Sequence, residues 1–185
     1  MKNARIILFT LVIEGILVGA FLLWASWRQV AFPGVVTRAH LISGALAALP
    51  LLAFNFLLFS EMANRLPQLE PCRAFRDQIL VPLAKELSLV GALIVSCAAG
   101  VGEELFFRYF LQTEVGIIFS SLLFAVLHFG PVVKDYCFIA SLYFGYGVYF
   151  GAVFSFSENI WVPIVAHSLY DFAALIYLRS RRVTA

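Results

Sequence analysis

The sequence predicts an all-α fold, a polytopic transmembrane bundle of about six spanning helices, and three observations carry that prediction. Of 185 residues, 62% are hydrophobic and only 13% charged, whereas soluble domains run near half apolar and a quarter charged. Mean hydropathy is +0.93, and the apolar residues are gathered into runs close to the roughly 20 residues that a spanning helix needs. No run alternates as a barrel strand would, and a lipid-exposed backbone has to satisfy its own hydrogen bonds, so helices are the economical solution.

The first run, about Ile6 to Trp27, follows Lys2 and Arg5 as a signal peptide would. It is longer than a signal core, carries Glu14 at its middle and ends on Trp24 and Trp27, which look like interfacial anchors. It is read as a retained helix. The second runs from about Leu41 to Phe59. The polar stretch from Glu61 to Lys85, with Pro67, Pro71 and Pro82, is read as a loop or interfacial segment. Four more runs follow: Leu87 to Leu111, Val115 to Phe129, Tyr136 to Phe156 and Ile160 to Leu178. This divides one integral membrane domain into 1–84, two helices with a proline-containing loop, and 85–185, a core carrying the candidate site.

With the amino terminus inside, Lys2, Arg5, Arg65, Arg73, Arg76, Lys85, Lys134, Arg179, Arg181 and Arg182 fall on the cytoplasmic side and only Arg28 and Arg38 outside. Both termini are therefore expected in the cytoplasm. A net charge of +2 without a basic stripe gives no reason to expect a nucleic-acid partner. Cys72, Cys97 and Cys137 have no metal-like spacing and imply no disulfide framework; the two inside apolar runs are expected to pack as small hydrophobes. His40 is read as a loop-edge residue. Gly145, Gly147 and Gly151 are expected to allow close helix approach, and the last two form a small-xxx-small pair that leaves dimerisation open. Oligomeric state is not set by the sequence.

Ionisable residues within spans are costly, roughly 2.5–3.5 kcal/mol for Asp, Lys or Arg at the bilayer centre, so they need partners and usually a task. The third run contains Glu103-Glu104-Leu105-Phe106-Phe107-Arg108. Glu104 and Arg108 share a helix face at i, i+4 and are expected to pair, while Glu103, about 100° further round, is left free for chemistry. Phe124 and His128 have the same spacing in the fourth run, as do His167 and Asp171 in the sixth. At 1.5 Å per residue, Glu103, His128 and His167 each lie roughly 10–20 Å from the same outer end of their helices, a depth at which they could meet. Read blandly, the glutamates mark a helix end and each histidine is a packing residue; two histidines beside a spare carboxylate weigh against that.

Glu-Glu-x-x-x-Arg at 103–108, Phe-x-x-x-His at 124–128 and His-x-x-x-Asp at 167–171 resemble the three motifs of the CAAX-protease and bacteriocin-processing family of intramembrane endopeptidases, which includes the type II CAAX prenyl proteases. The resemblance covers about Lys85 to Arg179. It implies hydrolysis of a peptide bond in a membrane-anchored protein or peptide, with Glu103 and His128 activating water and His167 stabilising the oxyanion. Glu104, Arg108 and Phe124 are then supporting residues. Asp171 stands where the family often has asparagine. An ionised aspartate donates nothing to an oxyanion, so it either accepts from His167, the preferred reading, or is itself protonated.

No cofactor is expected. Two histidines and a glutamate would satisfy zinc in number, so zinc stays open, but they come singly from three helices without a His-x-x-x-His pair. A non-catalytic scaffold or immunity protein of the same architecture is the first rival, and a small proton-coupled transporter the second; missing internal repeats and broken helices count against transport. Short length and lack of organelle signals point to a prokaryotic plasma membrane and, with a site in the outer half, to an exported substrate.

Overall fold

The computed structural model describes residues 2–60 and 65–181, and these are helical without strands. Glu61 and Arg182, assigned above from the sequence, lie outside the described residues. The helices are α1 (Lys2–Arg28), α2 (Arg38–Leu58), α3 (Glu70–Phe75), α4 (Val81–Glu86), α5 (Leu89–Glu103), α6 (Gln112–Phe129), α7 (Cys137–Ser157) and α8 (Trp161–Ser180).

Five stretches are long and apolar enough to cross a membrane: α1, α2, the 41 residues Leu89–Phe129, α7 and α8. The 41-residue stretch accounts for the third and fourth runs of the sequence. It folds back on itself at Gly116, whose φ of 80° and ψ of 166° no helix contains and which suit glycine almost alone. Partners on the two arms straddle this break symmetrically: Glu103 with His128, Phe107 with Phe124, and the Phe107 carbonyl with the Ser120 hydroxyl that donates to it. The returning arm, 117–129, is only about 20 Å long, short of the ~30 Å hydrocarbon core. Six apolar rods therefore form the bundle, and the fourth is a partial span.

Packing is inverted relative to a soluble protein. Leu8, Phe9, Leu23, Phe119 and Phe156 face outward, while Ser96, Glu104, Arg108, Ser120 and Ser121 are fully buried. This is the arrangement a hydrocarbon solvent selects. At one end Lys2 pairs with Glu86 at 2.9 Å, Arg179 donates to the Leu87 carbonyl and Arg181 donates to that of Phe59. At the other end Arg28 pairs with Glu114 at 3.1 Å and Trp161 donates to the Gly34 carbonyl. Lys2, Arg179 and Arg181 thus gather at one end, the basic end, and Arg28 lies at the other.

Several local expectations change. The stretch after α2 is largely helical, because Pro71 and Pro82 occupy first-turn positions where a missing N–H costs nothing. Between α3 and α4 the chain makes a π-helical turn, Arg76–Leu80, in which Arg76 grips its neighbour Asp77 through two hydrogen bonds. That grip holds the Asp77 carboxyl below its usual range. Trp24 is buried rather than an interfacial anchor, stacked on Phe110 at 5.1 Å with its indole N–H on Glu114; Trp27 stays outside. His40 completes a capping box with Thr37 at the start of α2. Cys72 is the buried cysteine, and Cys97 and Cys137 are exposed. Gly147 and Gly151 pack inside the chain, where a Cβ would lie 2.9 Å from Ser121 and 2.5 Å from Gln112, whereas Gly145 faces open space. The small-xxx-small pair is consumed by helix packing within the chain.

Candidate active site

The site forms where α5, the returning arm of α6, α7 and α8 converge. Ser88 caps α5 by accepting from the Gly91 N–H at 2.9 Å, and α5 then runs regularly to Glu103. From Glu104 to Leu111 the backbone widens into a π-helix, an irregularity often found at functional positions. There the chain turns two adjacent glutamates inward.

Glu104 and Arg108 are both fully buried and approach to 3.2 Å, the i, i+4 pair anticipated from the sequence. The guanidinium makes no well-aligned hydrogen bond; it lies 4.8 Å over the Phe124 ring, which gives Phe124 a place in the site as a cation–π platform. Glu104 has a second partner, since His167 Nδ1 lies 2.8 Å from its other oxygen. A carboxylate only accepts, so Nδ1 carries the proton. The His167 ring stacks on Phe150 at 4.6 Å, and its Nε2 faces Asp171 at 3.5 Å and Glu103 at 3.8 Å.

Among the described residues, Glu103 makes no ion pair with arginine. One oxygen faces His128 Nε2 at 3.6 Å. His128 Nδ1 is 2.8 Å from the Phe124 carbonyl, which can only accept, so Nδ1 is the donor and Nε2 is the atom turned toward Glu103. The 3.6 Å gap is longer than a direct hydrogen bond, and both groups border a cavity of about 240 Å³. All seven residues singled out from the sequence, Glu103, Glu104, Arg108, Phe124, His128, His167 and Asp171, are thus brought to one place.

The cavity leads from these groups past Tyr143, Tyr146 and Asn55 to Phe59, Cys72 and Leu83 at the basic end. The sequence placed the site roughly 10–20 Å from the end away from the basic residues, and His167 lies about 9 Å along α8 from Trp161, slightly shallower but in the same half. The cavity nevertheless runs the other way, because α3 and α4 fold over the basic end and supply its wall.

Two groups were not singled out as site residues. Glu14, at the middle of the first apolar run, is buried; one of its carboxyl oxygens has no hydrogen-bond partner among the described residues and would lie 2.4 Å from a Cβ at Gly102. It is within electrostatic range of Glu103, His167 and Asp171. Its mid-span position was the available signal. Asn55 of α2 donates to the Tyr170 hydroxyl at 2.9 Å and accepts from that of Tyr146 at 3.3 Å, a network without a sequence signature.

Among the described residues, no three His, Cys, Asp or Glu side chains converge closely enough to hold a metal ion. Of the groups nearest Glu103, His167 has its Nδ1 engaged by Glu104 and His128 has its Nδ1 engaged by the Phe124 carbonyl.

Residues 85–173 match the family model described as type II CAAX prenyl endopeptidase Rce1-like. Over 96 residues the chain is 29% identical to a Bacillus subtilis (strain 168) protein named "Uncharacterized protein YpbD", which covers 52% of this chain and 50% of the relative. The chain thus spans about half the length of the curated relative it matches. No solved structure matches it.

Proposed function

Because residues 85–173 match the family model described as type II CAAX prenyl endopeptidase Rce1-like, we propose that the chain is an intramembrane endopeptidase that hydrolyses a peptide bond in a membrane-anchored protein or peptide. The observation that carries this reading is Glu103 facing His128 Nε2 across 3.6 Å on the wall of an intramembrane cavity. A water in that cavity reaches both groups. Glu103 takes a proton from it, the oxygen attacks the scissile carbonyl, and His128 relays the proton to the departing amine, with no covalent intermediate.

His167 takes a different part from the oxyanion role implied by the resemblance. Its Nδ1–H is spent on Glu104, and its Nε2 lies between Asp171 and Glu103. It holds the carboxylates of α5 and α8 in register and leaves the substrate to other groups. Asp171 accepts from it, the preferred reading of the sequence. Glu104 and Arg108 fix the charge around Glu103. The reaction is metal-free in this account.

We place the basic end in the cytoplasm of a prokaryotic plasma membrane, following the charge distribution. The cavity then admits substrate from that side, past α3 and α4. This replaces the exported substrate suggested by depth alone.

The test is to compare Glu103→Ala, Glu104→Ala and His128→Ala with the parent in cells, following unprocessed membrane-anchored proteins by mass spectrometry. Accumulation of one shared precursor in Glu103→Ala and His128→Ala, at normal protein levels, supports the reading. If neither variant alters any precursor, the scaffold reading replaces it.

A further inference from the structure

Hydrolysis of an amide puts negative charge on the carbonyl oxygen, and a water-excluded site needs a hydrogen-bond donor there. The groups nearest Glu103 do not offer one. Asp171 accepts, Glu104 and Glu103 accept, His128 Nδ1 is spent on the Phe124 carbonyl, His167 Nδ1 is spent on Glu104, and His167 Nε2 is flanked by the carboxylates of Asp171 at 3.5 Å and Glu103 at 3.8 Å. Arg108 is fully buried away from the cavity beneath Phe124.

Donors do line the same cavity, on the side formed by α7 and α8. Three tyrosines border it: Tyr143, Tyr146 and Tyr170. Tyr146 donates its hydroxyl proton to Asn55 at 3.3 Å, and the Tyr170 hydroxyl accepts from the same amide at 2.9 Å and is itself hydrogen-bonded to the Tyr146 hydroxyl. Tyr143 differs: its ring lies against His128, centroids 4.8 Å apart, and against Phe129 at 5.1 Å. Its hydroxyl has no hydrogen-bond partner among the described residues and senses the charges of both Asp171 and Glu103. A phenol held rigidly by two aromatic contacts, with an uncommitted proton beside the water-activating pair, is a preorganised donor.

We propose that Tyr143 donates the hydrogen bond that stabilises the tetrahedral oxyanion, which makes it a further catalytic residue; this rests on the hydrolase reading above. As Glu103 removes the water proton, the new C–O bond forms and the carbonyl π pair moves onto oxygen, where the Tyr143 O–H meets it. The tetrahedral intermediate collapses by re-forming C=O and expelling the nitrogen. The nitrogen leaves as an amine, carrying the proton passed from Glu103 through His128. Tyr143 keeps its own proton throughout.

The experiment measures the processing rate of the precursor identified by Glu103→Ala, by pulse-chase in cells expressing the full chain. Tyr143→Phe keeps the ring packing and removes only the donor, so the rate should fall about 100-fold, the usual effect of losing one oxyanion donor. Asp171→Asn puts an amide donor at the facing position. In that background, Tyr143→Phe should cost under about tenfold. A structural role for Tyr143 predicts the same loss in both backgrounds, and that result overturns the proposal, as does a Tyr143→Phe rate equal to the parent's. If Glu103→Ala itself accumulates nothing, the hydrolase reading fails first, a distinguishable outcome.

Discussion

Arg108 is the group whose removal the structure prices most clearly. It and Glu104 are both fully buried, 3.2 Å apart, where the Coulomb attraction at an effective dielectric near 20 is roughly 5 kcal/mol. Arg108→Met keeps the apolar stem and leaves Glu104 with His167 alone, 2.8 Å away. Breaking a buried pair costs about 3–5 kcal/mol, and because one partner remains the loss should sit near 3. At 2–4 °C per kcal/mol for a chain of this length, the midpoint should fall by about 6–12 °C. Thermal unfolding in detergent, followed by tryptophan fluorescence, reads this directly, since Trp24 is buried against Phe110. Adding Glu104→Gln removes the stranded charge and should return stability to within about 1 kcal/mol of the parent, a midpoint within about 2–4 °C. A single variant shifted by less than 2 °C, or a double variant as unstable as the single, refutes the pairing argument.

Gly102→Ala should destabilise by about 1–3 kcal/mol, because its Cβ would sit 2.4 Å from the Glu14 carboxyl and 3.2 Å from the Glu14 backbone. Displacing the neighbouring Glu103 should also slow cleavage at least tenfold. Gly15→Ala and Gly19→Ala, with nothing within 4 Å, are controls that should leave the melting midpoint in place. Gly116→Ala finds open space, yet needs a φ of +80°; strain of about 1–3 kcal/mol should appear as a lower midpoint without any new contact. Activity of the purified protein should survive prolonged dialysis against a chelator, and loss restored by zinc would require a metal in the mechanism.

The apolar runs were legible because hydropathy reports the solvent, and the i, i+4 pairs because helix geometry leaves little choice. Thus Glu104–Arg108, Phe124–His128 and His167–Asp171 all meet as their spacing requires. The exceptions arise where tertiary contacts decide. Nothing in the run Val115 to Phe129 announces that Gly116 breaks the chain into a hairpin, or that residues 104–111 widen into a π-helix. Trp24 resembles an anchor in sequence, but Glu114 and Phe110, some 90 residues away, draw it inward. Glu14 becomes part of the site only because Gly102 lets α1 approach α5. The prolines between α2 and α5 suggest a loop until their first-turn placement is seen. The broken helix at Gly116 also removes one of the two sequence grounds against a transporter, leaving the missing repeat and the Rce1-like match to weigh against it.

The central claim is that Glu103 activates water for direct attack on a peptide bond. It is tested most directly by incubating membranes containing the parent chain or Glu103→Gln with the accumulated precursor in water enriched in heavy oxygen, and weighing the products. The account predicts one heavy oxygen in the new carboxylate from the parent under single-turnover conditions, and no product from Glu103→Gln at equal protein level. Cleavage by Glu103→Gln at the parent's rate, or a first-turnover product without the heavy label, contradicts it.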